Sequence, residues 1–517
     1  MKTKFILFLT VATNLVILSN LKSKAQGYAL DAIRYAQPSI GGTTRTLSIG
    51  GAQNSLGGDI GSLSGNPAGL GFYRRSDFAF TGQFNSNNLE STYLGSKNQN
   101  NNQQDYNLEN VGMIFAHSSP LAERGRPTEN KVVSFAFGAG YTRLNNINVS
   151  TNFGGNNLGP NFSSNLAELG TLNGITQNTF ASSVAGIAFD EYLINPTSTN
   201  STTYAGIPGG GGAGGGVTQS GSFQEQGHND QSNLSLGLNF GNVVYLGAGV
   251  NFESYNYVRY TDFIESGLKD PNNFVDGLEY NKATYQTATG IDGKLGIIFN
   301  LLNVIHIGGY VQTPTNYDVF EAVDFSLLGT KGGQYIYPSV NYTNNQGQTQ
   351  PGSYTPQVSG NNEFHVNTPY KYNAGASLIL GDFGFLTGDV EYLNYKELNF
   401  SSGNDSFDQT VNATIQANYK DVINYRAGAE LKLGPLVLRG GYAFYPSYLT
   451  NVVQDADRRV FSGGFGIHTG KFYIDFGGLR DYSRNYRQSY NFADGSGPAV
   501  KAYNIRNSGT ITIGTRF

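Results

Sequence analysis

The chain has 517 residues, with 33 Lys+Arg against 37 Asp+Glu, a formal net charge of −4 and 14% charged residues, where an ordinary soluble domain carries roughly 25%. Cys and Trp are absent; the lack of Cys excludes thiol catalysis, Cys-ligated zinc, iron–sulfur clusters and a lipidated Cys, and the acidic balance without basic runs argues against nucleic acid as a partner. Gly (69), Tyr (34) and Phe (33) are abundant and favour many short strands over helices.

Met1–Ala25 reads as a secretory signal: Lys2 and Lys4 precede the apolar stretch Phe5–Leu18, and Ser23 and Ala25 are the small residues at the cleavage-reading positions. Cleavage after Ala25 leaves 517 − 25 = 492 exported residues. Beyond it no run approaches the ~20 apolar residues of a membrane helix. Residues 26–73 do not alternate; after a helix-like piece near Ala29–Ala36 come Gly/Ser-rich turns with too little apolar surface for a core of their own. Such a segment is either a plug held inside a container or a free periplasmic tail.

From residue 74 to the end the chain alternates. Phe78, Phe80 and Phe84 oppose Asp77, Thr81 and Gln83; Val133, Phe135, Phe137, Ala139 and Tyr141 oppose Ser134, Ala136, Gly138 and Gly140; Val244, Leu246, Ala248, Val250 and Phe252 oppose Tyr245, Gly247, Gly249, Asn251 and Glu253. The same pattern recurs over 370–380, 423–433 and 461–468. Period two means strands with one apolar face. Short turns (near Ser119–Asn130, then Gly241-Asn242, Leu301–Asn303, Gly381–Gly384, Gly434-Pro435 and Thr469–Lys471) alternate with long loops at roughly 86–106, 144–231, 259–285, 315–366, 397–416, 447–458 and 482–503. Six turns and seven loops connect fourteen strands. Short connections on one rim and long ones on the other, with a closing strand Ile511–Phe517 that ends in an aromatic residue, predict an all-β, antiparallel transmembrane barrel in a bacterial outer membrane. Its expected partners are outer-membrane lipid and the barrel-assembly machinery, and the chain is expected to be a monomer.

The polar face would line a lumen containing Asp292, Lys294, Lys371, Asp389, Glu391, Arg426, Glu430, Arg439 and Asp475. The Gly434-Pro435 turn sets Glu430 opposite Arg439, since both pairs sum to 869, and predicts a cross-strand ion pair. Arg426, Glu430, Arg439 and Lys371 could orient an acidic ligand or simply neutralise one another. In the 144–231 insertion, Leu166–Gly170 and Phe180–Leu193 read as short amphipathic helices, a capture groove or surface cover, and Gly209–Gly216 reads as a flexible tether without the Lys-Ser/Thr of a phosphate loop. His117, His228, His306, His365 and His468 are scattered, and no His-Glu-x-x-His or Gly-x-Ser-x-Gly motif occurs. Asp455-Ala456-Asp457 reads as a solvated loop. No catalytic residue, metal site or cofactor is assigned.

Leu47-Ser48-Ile49-Gly50-Gly51-Ala52, Asp59, and Asn66-Pro67-Ala68-Gly69-Leu70 resemble the N-terminal hatch of the FadL/TodX outer-membrane transport family. Leu246–Phe252, Arg426–Glu430 and Leu438–Tyr442 look like its strand signatures. The resemblance runs from about residue 40 to the C-terminus and is poorest in the long loops. It implies a fourteen-stranded barrel and passive uptake of a hydrophobic small-molecule ligand, a long-chain fatty acid or an aromatic hydrocarbon. The ligand would be captured at extracellular loops, pass a rearranging hatch that includes Gly50, Gly51, Asn66, Pro67 and Ala68, and leave laterally by a kink in the third strand. There Gly138 and Gly140 would permit the kink or merely relieve crowding. A secretion-apparatus barrel like the type IX shuttle, which binds a protein signal, and a haem-uptake receptor are the alternatives.

Overall fold

The computed structural model describes residues 27–517 apart from 101, 119–131, 173, 175–182, 199–200, 337–340, 344–348, 352–356 and 451–455. The signal assigned to Met1–Ala25, the turn near Ser119–Asn130, Phe180 and Asp455 lie outside the described residues.

The alternating segments form fourteen antiparallel strands among the described residues. They are β1 (Asp77–Tyr93), β2 (Gln103–Ser118), β3 (Val132–Asn157), β4 (Val217–Phe240), β5 (Val244–Ser266), β6 (Gly277–Leu301), β7 (Ile305–Gln312 and Asn316–Lys331), β8 (Gln357–Asn367 and Lys371–Ile379), β9 (Gly384–Asn394, continued by Asn399–Ser401), β10 (Asp421–Leu433), β11 (Leu436–Tyr445), β12 (Arg458–Thr469), β13 (Phe472–Gln488) and β14 (Ala499–Arg516). β7 is interrupted at Pro314, which has no N–H to give a ladder; there Thr315 N–H donates to Thr368 Oγ1 (2.8 Å), and Thr368 N–H returns a bond to Thr315 O (3.1 Å). β14 pairs with β1 from Asp77↔Arg516 to Tyr93↔Val500, and Phe517 and Ser76 exchange backbone bonds of 3.0 and 3.1 Å. The sheet closes on itself.

The faces are inverted relative to a soluble protein. Phe78, Phe137, Leu236, Leu295, Phe465 and Ile513 point outward and are exposed, whereas Thr81, Asn251, Asp389, Glu430, Arg439 and Thr512 point inward and are buried. No helix among the described residues is long and apolar enough to cross a membrane; the strands supply the apolar outer surface of an outer-membrane barrel. Val133 leaves the face of Phe135, because the β3–β4 register shifts between Val132 and Ser134 and turns its side chain inward.

Strands run farther than the expected loop boundaries allow. β3 has 26 residues and β4 has 24, so 144–157 and 217–231 are wall, and the insertion shrinks to 158–216. At ~3.3 Å per residue, 26 residues extend about 85 Å along the strand, well past the ~25 Å apolar band of such barrels. Above the membrane both faces of the sheet meet water, so Asn, Gln, Ser and Gly stand on both sides and the alternation fades.

The insertion caps the extracellular mouth. Its helices Phe162–Leu172 and Val184–Asp190 bury Phe162, Leu166 and Ile187, together with Leu193 just after them, against Phe223, Phe263, Leu278 and Tyr490. Gly209–Gly216, expected as a tether, is a hydrogen-bonded turn: Gly211 N–H donates to Gly267 O (2.9 Å) and Gly212 N–H to Gly216 O (2.8 Å). A Cβ on Gly211 would lie 2.9 Å from Gly267 Cα, which is why side chains are missing there.

Leu295, 69% exposed on β6, tests the lipid-facing assignment. Leu295→Arg is expected to cost about 2–4 kcal/mol of unfolding free energy in bilayers, and Thr289→Arg, farther up the same face, about 1 kcal/mol or less, read by urea titration of vesicle-embedded protein.

Candidate functional site

Residues 41–73 fold by capping, since they have little apolar surface to bury among themselves. Thr43 caps the helix Thr44–Ser48, Asp59 caps the turn Ile60–Leu63, and Asn66 caps Pro67–Phe72, each accepting from a backbone N–H two or three residues on. Pro67 takes the first helical position, where no N–H is needed. Gly50 and Gly51 have φ of 67° and 76°, the left-handed pair that turns the chain after the first helix.

This segment lies across the bore and touches all fourteen strands. Going round from β14, Thr44 N–H donates to Thr512 Oγ1 (2.8 Å), Ser462 Oγ on β12 donates to Ser48 O (3.0 Å), and Arg45 Nε reaches Glu430 on β10 (3.1 Å). On the far side Asn54 N–H donates to Asp389 on β9 (2.9 Å), and Ser55 Oγ meets Ser377 Oγ on β8. Asn66 ties the two ends of the segment to the wall: its Nδ2 donates to Asn54 O (2.7 Å), to Gly309 O on β7 (3.2 Å) and to Ile297 O on β6 (3.3 Å), while Oδ1 accepts from Ala68 N–H (3.0 Å). The remaining contacts are steric. A Cβ on Gly247 of β5 would sit 2.2 Å from Ala68 N, and one on Gly441 of β11 would sit 2.2 Å from Gly50 N. Ile60 rests on Gly112 of β2 and Leu63 on Gly138 of β3; Gly71 lies against Leu238 of β4, Tyr73 against Asp77 of β1, and Ser48 against Gly477 of β13.

Two groups of inward charges hold the sequence-predicted Arg426, Glu430 and Arg439. Arg439 pairs with Glu430 (2.8 Å) and Asp475 (2.6 Å); Arg45 joins through Glu430, and His468 through Asp475 (3.0 Å). Arg426 pairs with Glu391 (2.9 Å). Lys371 stands beside that pair, lining with Lys294 a cavity of about 70 Å³. A second cavity of about 40 Å³ lies among Glu109, Arg143, Arg458, Asp481 and Arg506. Each has room for no more than a few water molecules, so the bore at this level is polar and closed to an acyl chain.

Above it lies an apolar chamber built from Tyr255 and Tyr257 of β5, Tyr317 and Val319 of β7, Phe364 and Val366 of β8, and Val411 and Ile415 of the helix Asp405–Asn418. The helix 27–36 fills it with Ala29, Ala32, Ile33, Tyr35 and Ala36. Its polar side is anchored: Tyr28 OH donates to Glu321 (2.9 Å), Arg34 donates to Gln286 (2.9 Å), and Asp31 faces Arg34 and, at 3.5 Å, Arg259. Burial alone would push the Asp31 carboxyl up, but the two guanidinium groups outweigh it and hold it down at about 2.

Gly138 and Gly140 remain paired on both sides, with β2 (Ile114↔Gly138, Gly112↔Gly140) and with β4 (Gly138↔Ser235, Gly140↔Asn233). The space their missing side chains leave is taken by Leu63, whose methyl carbons come within 3.0 and 2.9 Å of the added Cβ positions. The β2–β3 ladder ends at Asn110↔Thr142, beside register shifts at Thr81/Gly82 and Arg143/Asn145. Higher up, side-chain amides replace it. Asn110 Nδ2 donates to Tyr141 O (3.0 Å), Asn148 Nδ2 to Gln104 O (3.4 Å), and Asn146 Nδ2 to Asp105 and to Asn107 Oδ1 (3.4 Å).

A fourteen-stranded barrel with its own N-terminal segment across the bore can be compared with known proteins. It superposes on a Pseudomonas aeruginosa FadL homologue with a TM-score of 0.55 at 12% identity, over 93% of this chain and 100% of that one. On the P. putida toluene transporter TodX the TM-score is 0.50 at 11% identity, over 92% and 99%. The chain has the FadL-type barrel fold. No family model and no curated protein matches the sequence.

In this FadL-type barrel, reading by residue found the wall charges but missed Arg45, the one cation between Arg34 and Arg74. A lone charge in a Gly/Ser-rich segment was the available signal. The helix anchors Asp31 and Arg34 and the amide seam had none, because their partners lie 200 or more residues away or in stretches that read as loop.

Arg45→Ala should loosen the segment while Glu430 keeps Arg439. Loss of one charged hydrogen bond is worth about 2 kcal/mol, a roughly thirtyfold rise in labelling of an Asn54→Cys probe in a chain that has no other Cys. The Asp31 contribution to helix seating is complete above the ordinary carboxylate value near 4 and is lost as pH falls toward about 2. Labelling of an Ala32→Cys probe by an acid-tolerant pyridyl disulfide, taken relative to an exposed Cys control that carries the fall in thiolate, should therefore rise over that window, and Asp31→Asn should raise it at neutral pH and abolish the acid step.

Proposed function

We propose that this chain is a passive outer-membrane transporter of hydrophobic compounds and a member of the FadL/TodX family, with residues 41–73 as its hatch. One observation carries the reading: a barrel sealed at mid-height by its own polar, hydrogen-bonded segment keeps an apolar chamber directly above that seal, filled by a short helix. The P. putida neighbour is a toluene transporter, which agrees with a hydrophobic cargo.

The cargo is a long-chain fatty acid or an aromatic hydrocarbon. It meets the cap of the 158–216 insertion and enters the chamber as the helix 27–36 withdraws, exchanging one apolar filling for another. It cannot continue downward, because the level around Arg426, Glu391 and Lys371 is charged and leaves only a small, mostly polar cavity. It leaves sideways through the β2–β3 seam, where amide bonds worth about 1 kcal/mol each replace the backbone ladder. This moves the lateral exit from Gly138 and Gly140 up to the end of the ladder at Asn110 and Thr142, beside the outward Leu108 at the top of the apolar wall. A ligand leaving there gains by entering hydrocarbon without crossing water.

The test closes the seam. In the Gln104→Cys/Asn148→Cys double variant, uptake of labelled oleate or ethylbenzene should fall to background when oxidised and recover on reduction, while removal of 27–70 should give leak or altered uptake. Unchanged saturable uptake in both would sink the reading. Organic extracts of the purified protein should contain a fatty acid or arene by mass spectrometry. Co-purified secretion components with no extracted lipid would favour the shuttle alternative.

A further inference from the structure

The outer surface of the barrel is electrically lopsided at the extracellular end. On β5 to β8 the outward charges in this zone are mainly acidic: Asp262, Glu279, Asp318, Asp324 and Glu363, with His365 beside Asp318 at 2.7 Å. Half a turn away, on β12, β13, β14, β1 and the short strand Ser96–Gln99 that folds back on β1, they are basic: Arg459, Arg480, Arg484, Lys501 and Lys97. Two carboxylates accompany these five cations. Asp457 is shared by Arg459 (3.0 Å) and Arg484 (3.3 Å), and Glu90 lies beside Tyr503.

The cations stand in register. Tyr486, Lys501, Thr92 and Lys97 form one row across four strands; Arg484, Tyr503, Glu90 and Gln99 form the next. Together they line a concave site of about 640 Å³. Beneath the rows, Tyr482 stacks on Tyr503 (6.3 Å) and meets Phe461 edge-on (6.2 Å), the aromatic ring that marks a membrane interface. Below that ring one further polar row, Arg480, Asn507 and Ser86, precedes the apolar wall of Phe465, Phe476 and Ile513. The basic site therefore opens on the polar side of the membrane interface, with Arg480 between it and the apolar wall.

We propose that this face binds the phosphate-bearing headgroup of an outer-leaflet glycolipid. Lys97 and Lys501 reach the phosphates from both sides of Thr92, Arg484 supplies a planar donor fork, the tyrosine rings pack on the sugar, and the acyl chains run down the apolar wall. The opposite face, carrying five carboxylates, rejects the same headgroup. Charge complementarity would also suit a second copy, acidic face to basic face, but a concave site between a fold-back strand and the wall suits a small headgroup better than another barrel.

The purified full-length chain is placed in phosphatidylcholine vesicles doped with bisphosphorylated lipid A or with its dephosphorylated form, and retained lipid is counted by native mass spectrometry. Retention of the phosphorylated form alone is expected. Lys97→Gln with Lys501→Gln should lower its affinity about thirtyfold, Lys97→Arg with Lys501→Arg should restore it, and Asp318→Asn with Glu363→Gln should leave it unchanged. Excess inorganic phosphate should not displace the lipid, because the anchor is in the membrane. Equal retention of the dephosphorylated lipid, displacement by phosphate, or unchanged affinity in the Gln double variant that still shows heat-modifiable barrel mobility on gels would overturn the proposal. So would a chain-to-chain dimer lost on neutralising either face.

Discussion

In hydrocarbon every backbone N–H and C=O must find a partner within the protein, and the rest of this structure depends on that requirement. It makes β14 return to β1 over the full length of the shared ladder, and it fixes which residues face inward. Once the cylinder is closed, lipid takes the apolar face and the polar face has nowhere to go but the bore. A bore lined by Asp292, Asp389, Glu391, Arg426, Glu430 and Arg439 must then pair those charges with each other or with something placed among them.

What is placed among them is the segment 41–73, and the wall is cut to receive it. Gly247 and Gly441 approach its backbone where any side chain would collide, and Asn66 satisfies carbonyls of both partners at once. Segment and wall thus form one polar interior, with small residues giving proximity and amides giving direction. The apolar material of the lumen is concentrated higher, around the helix 27–36. The two levels, greasy above and charged below, divide the lumen into an apolar storey and a polar one.

The wall was readable and the interior largely was not. Phe78, Phe137 and Leu246 alternate with small or polar neighbours because lipid touches one face only, and that constraint acts residue by residue along the chain. Above the membrane it lapses, and 144–157 and 217–231, polar on both sides, look like loop although they are strand. The Glu430–Arg439 pair follows from a two-residue hairpin, which carries register over nine residues. No comparable rule links Arg45 to Glu430 or Asn54 to Asp389, whose separations exceed 300 residues. The glycines at 138 and 140 invite a reading as a hinge, yet they are hollows for Leu63; a missing side chain signals closeness as often as mobility.

The helix 27–36 sits among the outer halves of β5, β7 and β8, whereas Asp77 starts β1 at the opposite rim. The polypeptide between them threads the cylinder lengthwise. In the finished barrel the cap bars that thread from the extracellular mouth, so the leading helix reaches its seat either before the last strand zips to the first or from the opposite rim, ahead of the segment that closes the bore behind it.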